Sequence, residues 1–172
     1  MIDPLFESSQ ASTDAPLAML RACHARMERQ LATLLRLGRH LPEHGADAQA
    51  RSAARAILRY FDSAAPMHHA DEEASVFPRL VARRPEAARP VAELAVQHDV
   101  LESRWRRLRV LLSGISAGQR ANLPPKDIQD FADAYSAHLT RENAWLLPLC
   151  DEALRNEDLT AIGREMAARR EG

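Results

Sequence analysis

Two stretches of this chain carry one pattern, 70 positions apart. In the first, Phe61 is followed by His68, Glu72 and Pro78; in the second, Phe131 is followed by His138, Glu142 and Pro148. A His-x-x-x-Glu run read as helix sets both side chains one turn apart on the same face. Packing alone does not explain two such helices in a chain of 172 residues.

The composition agrees with helix. Ala, Leu, Arg and Glu dominate, β-branched residues are few, and there are only six glycines. The length suits one domain with a real core, predicted over 14–172 behind a polar leader at 1–13. The leader has no cationic start and does not read as a signal peptide; a helical turn is expected around Pro4 to Glu7. A formal net charge of −1 leaves no footprint for nucleic acid. No apolar run approaches the 18 residues a membrane span needs. Cys23 and Cys150 have no metal-binding spacing and read as reduced, buried thiols, which suits a cytoplasmic location.

Apolar residues three and four apart predict four long helices. The first opens after an Asp14 cap with Pro16 in its first turn and runs to about Arg39, with His24 on its stripe. Leu41 to Gly45 forms the turn, with His40 and His44 as surface residues. The second runs from Asp47 towards Val81 along Phe61, Ala65, His68, Glu72, Val76 and Leu80; Pro66 should kink it and Pro78 weaken its end. The third runs from Pro90 to Ser113 with His98 on its stripe, and the fourth from Pro125 to Leu154 along Phe131, Tyr135, His138, Glu142, Trp145 and Leu149. A short helix from Asp158 to Arg169 follows. His24 and Glu28 repeat as His98 and Glu102 with an offset of 74, so the chain reads as two helical hairpins. Short connections predict antiparallel neighbours: an all-α, up-down-up-down four-helix bundle with a short additional C-terminal helix.

Each long helix thus places one histidine, His24, His68, His98 or His138, on its apolar face, and two add Glu72 and Glu142. Burying four imidazoles and two carboxylates without partners is very unfavourable. A pair of metal ions compensates: the imidazoles donate to them and the carboxylates bridge them. Such a carboxylate-rich, thiolate-free set favours iron or manganese over zinc.

The pieces Leu20-Arg21-Ala22-Cys23-His24, His68-His69-Ala70-Asp71-Glu72-Glu73 with Phe77-Pro78, Gln97-His98-Asp99 and His138-Leu139-Thr140-Arg141-Glu142 with Leu147-Pro148 resemble the hemerythrin-like, or HHE cation-binding, family from about Leu17 to Leu154. The resemblance implies two iron ions on His24, His68, Glu72, His98, His138 and Glu142, with both glutamates bridging. It departs from the oxygen carriers of that family, which have a further histidine where Glu102 stands and an aspartate where Asn143 stands. The ligand count is closer to the iron-centre repair proteins, without their cysteine-bearing domain. Glu102 and His69 are further candidate ligands, and Tyr135 lies a turn before His138.

The expected function is a non-haem di-iron protein that binds, senses or detoxifies oxygen, nitric oxide or reactive oxygen species. The alternatives are a labile iron donor for damaged iron centres, or an interaction module with structural metal. A homodimer or another protein partner is left open, with Arg104 to Arg109 as one surface for it. No nucleophile, general base or substrate pocket is evident beyond the ligands, which argues against an enzyme of organic substrates.

Overall fold

The computed structural model describes residues 15–171. The leader at 1–13, its expected turn at Pro4 to Glu7 and the Asp14 cap lie outside them. Helix α1 is Pro16–His44, α2 spans 48–83, α3 is Ala88–Ser116, α4 spans 125–153 and α5 is Asn156–Glu171, with no strand among the described residues. Around the bundle α1 packs on α2, α2 on α3, α3 on α4, and α4 back on α1. This is the all-α bundle expected from the apolar periodicity.

The helix ends differ from expectation for local reasons. Ala15, with no side-chain hydrogen bond, stands at the N-cap of α1. At the other end α1 runs through Pro42 to His44. A proline in the last turn removes a single hydrogen bond. The Gly45 N–H closes that turn on the Leu41 carbonyl at 2.8 Å, and its φ of 63° ends the helix. Asp47 caps α2 by accepting from the Ala50 N–H at 2.7 Å.

Prolines shape α2 and α4 differently from a simple kink. Three π turns interrupt these helices, at Tyr60–Ala64, Glu72–Val76 and Glu142–Leu146. Each closes with an N–H reaching back five residues: Ala65 to Tyr60, Phe77 to Glu72, Leu147 to Glu142. Each is followed one position later by a proline, Pro66, Pro78 or Pro148. A proline ring clashes with the carbonyl four residues back, and the wider turn relieves that clash. Where the second half has Ser136 in place of Pro66, the helix stays α throughout Pro125–Arg141. The extra residue also moves the inner face of α4. Beyond Glu142 the fully buried positions are Leu146, Leu147 and Cys150, while the expected Trp145 and Leu149 are half-buried beside them.

Two apolar clusters fill the bundle. One is built on Met27, Leu34, Phe61, Trp105, Phe131 and Tyr135. The other is built on Leu20, Val76, Leu80, Leu94, Leu146 and Met166. Helix α5 seals the second cluster with Ile162 and Met166, both at 0% exposure. Its far end is pinned by Arg169 and Arg170 to the buried Asp71, at 2.8 and 2.6 Å. No helix among the described residues is long and apolar enough to cross a membrane.

Candidate metal centre

Between the two apolar clusters lies a polar layer. His24 comes from α1, His68 and Glu72 from α2, His98 from α3, and His138 and Glu142 from α4; all six are buried, none above 4% exposure. Their ligand atoms fall into two overlapping groups, His24, His68, Glu72 and Glu142, and Glu72, His98, His138 and Glu142, each within 4.8 Å. Both carboxylates belong to both groups.

The distances show how the glutamates are shared. Glu72 places Oε1 3.2 Å from His68 Nε2 and Oε2 3.3 Å from His98 Nε2. Glu142 places Oε2 3.2 Å from His24 Nε2 and Oε1 3.0 Å from His138 Nε2. Each carboxylate therefore turns one oxygen to each imidazole pair. Glu72 and Glu142 are also the first residues of their π turns, and π turns recur where helices carry functional groups.

The far side of three imidazoles is held by oxygen. Nδ1–H of His24 donates to Asn143 Oδ1 at 2.7 Å, that of His98 to Glu73 Oε1 at 2.6 Å, and that of His138 to Gln97 Oε1 at 2.9 Å. A neutral imidazole donating from Nδ1 turns an Nε2 lone pair inward. Yet the Nε2 atoms of His24 and His68 lie 3.1 Å apart, and those of His98 and His138 3.2 Å apart. For His98 and His138, both held from Nδ1, this sets two lone pairs against each other, and they repel unless a cation sits between or beside them. The four oxygens of Glu72 and Glu142 are buried and make no hydrogen bond of good geometry. Orphaned carboxylate oxygens and opposed lone pairs suit metal cations, and this donor set fits them.

The electrostatics repeat the point with protons. Burial disfavours imidazolium, but Glu142 and Glu72 outweigh it and lift His24 to about 9 and His98 to about 10. His68 is raised well above its usual range against its burial, chiefly by Glu72. Burial and the neighbouring Glu72 charge both push Glu142 up, yet the imidazoles of His138, His24 and His98 close against its oxygens bring it to about 2. Without metal, the centre gathers protons to offset its two buried charges.

The remaining candidates divide. His69 is half-buried beside the centre, its ring stacked on His98 with centroids 4.0 Å apart and its Nε2 3.3 Å from the Tyr135 hydroxyl. It also forms a donor group with His98 and His138. Glu102 does not join the centre. It is exposed and accepts from Arg106 at 3.0 Å, because its helical position carries it past His98 to the bundle surface. Glu28 is likewise exposed. In the arginine-rich segment Arg104 donates to the Asp130 carbonyl, and Arg107 and Arg109 pair with Asp127 and Asp62. Cys23 and Cys150 are buried and free.

Sequence reasoning missed the oxygens that hold the rings. The signal was present in the repeat: Glu73 and Asn143 follow the two shared glutamates, and Gln97 precedes His98.

Residues 15–150 match the model of the hemerythrin HHE cation binding domain. A protein of Haemophilus influenzae, described as an uncharacterized protein, is 34% identical over 168 residues, covering 97% of each chain.

Proposed function

This chain belongs to the hemerythrin HHE cation binding domain family, and from that premise we propose that it is a non-haem di-iron protein that binds, senses or detoxifies oxygen, nitric oxide or reactive oxygen species. The observation that carries the reading is the sharing of Glu72 and Glu142. Each turns one oxygen to the His24/His68 pair and the other towards the His98/His138 pair. Two donor sets of equal composition with common carboxylates are what two adjacent ions of one kind require.

In this reading the six residues hold the metal, which supplies redox change and a Lewis-acid position. The chain's own residues do the rest. Asn143, Glu73 and Gln97 fix the ring orientations of His24, His98 and His138, which raises their basicity towards metal. The apolar clusters above and below keep bulk water out and strengthen every charge interaction inside. A fully buried set of ligands supports retention of metal ahead of its donation to other proteins.

The test is the visible spectrum of the iron-loaded chain, reduced without air, then exposed to oxygen, then degassed. A band that appears with oxygen and disappears on degassing supports reversible binding. A stable oxidised spectrum supports sensing or detoxification by oxidation. No iron-dependent spectrum would overturn the reading.

A further inference from the structure

A cleft of about 390 Å³ opens on one side of the bundle and ends against the centre. Its walls come from α2, α3 and α4, and none comes from α1. It touches His98 and Glu73 but neither His24 nor His68. This cleft therefore reaches the centre on the half that holds His98.

His69 closes the inner end. Its ring stacks on His98 within 10° of parallel, and among the described residues its hydrogen-bonding contact is the Tyr135 hydroxyl at 3.3 Å. Opening the cleft onto the centre requires the ring to leave both that contact and its stack on His98. The matching position of the second half, 70 residues on, is Leu139, buried at 1% exposure in the apolar cluster. The two halves of an otherwise repeated centre thus differ here: His69 lines the cleft, and Leu139 is packed in the core. Phe61, Trp105 and Tyr135 form apolar wall beside a charged rim that includes Glu102, Arg106 and Arg109, and a passage of this volume suits small molecules.

We propose that this cleft is the entrance for a diatomic or triatomic ligand, that the ligand meets the His98/His138 half of the centre, and that His69 is the gate. The proposal rests on the di-metal reading above. A gate changes the path in both directions, so it alters association and dissociation rates together and leaves Kd in place. A residue that binds metal or ligand alters metal content or Kd instead.

The probe is azide, mixed rapidly with the oxidised, iron-loaded chain and followed by visible absorbance, with iron counted in each protein beforehand. His69→Ala is expected to raise both rates about tenfold. Glu102→Trp, at an exposed rim position outside the donor set, is expected to lower both by about the same factor. Unchanged rates in both variants, or an iron-loaded chain that never responds to azide, would overturn the entrance while leaving the di-metal reading intact. Loss of iron in His69→Ala would make His69 a ligand and overturn its role as gate. A wild-type chain that holds no iron fails the underlying reading first, before azide is added, and this inference falls with it.

Discussion

Gln97 Oε1 lies 2.9 Å from Nδ1 of His138 and fixes that ring from the side turned away from the carboxylates. In the first half of the chain the corresponding position, 74 residues earlier, is Cys23. The histidine it would serve, His68, is the one member of the set whose Nδ1 is buried without a hydrogen-bond partner of good geometry. The Cys23 thiol takes a hydrogen bond from Arg26 at 3.3 Å. The two halves of the centre are therefore alike in ligands and unlike in what orients them.

That difference predicts unequal costs for two similar truncations. Gln97→Ala removes an oxygen partner and should weaken metal binding about 10–100-fold. Cys23→Ala removes only the weaker thiol contact beside His68 and should cost distinctly less. Chelator competition on the two loaded variants checks the order.

A second prediction concerns pH. In the metal-free protein His24 and His98 rise from 6.5 to about 9 and about 10. Their protonation therefore stabilises the fold fully below pH 6.5, and this is lost as pH rises through 9 to 10. Glu142 falls from 4.5 to about 2, so its contribution is present above pH 4.5 and lost as pH falls through about 2. Bound metal replaces the protons on the imidazoles. Loading near neutral pH should release protons, and the alkaline loss of Tm should be smaller in the loaded protein. Calorimetry in buffers of different ionisation heat reads the first, and thermal melts across pH the second.

A third prediction separates structural ion pairs by burial. Asp71 has 0% exposure and is met by Arg169 and Arg170 from α5. Replacing both arginines with alanine leaves a buried charge unpaired, at a cost of about 3 kcal/mol. For a chain of this size that lowers Tm by about 6–12 °C. Arg79→Ala breaks the more exposed pair with Glu165 and should cost less than about 1 kcal/mol. Equal shifts in Tm would refute the distinction.

The helices and the six clustered donors were legible because helical periodicity and the 70-residue repeat are carried by residue type alone. The π turns were not. They depend on a proline ring meeting a carbonyl, so Pro66 read as a kink and Pro78 as a weak end, and neither they nor Pro148 read as marking an inserted residue. The same insertion displaced Trp145 and Leu149 from the innermost face. Glu102 was a further candidate because it stands where the oxygen carriers of the family have another histidine, and that match respects spacing but not which face this bundle buries. The cleft beside His69 was illegible because it forms between α2, α3 and α4 and belongs to no single stretch of sequence.

The last prediction follows from which atoms are shared. His24 and His98 each stand in one donor group, whereas Glu72 stands in both. Truncating a histidine should empty one half of the centre and leave the other with its full set. Glu72→Ala removes an oxygen from each half and leaves Glu142 as the sole carboxylate among four imidazoles, so both ions should be lost. Iron counted per chain should fall towards one in His24→Ala and His98→Ala and towards none in Glu72→Ala. The exposed variants His44→Ala and Glu102→Ala should retain two. Glu72→Ala retaining as much iron as His98→Ala would mean that the carboxylate does not join the two halves, and the shared geometry would lose its function.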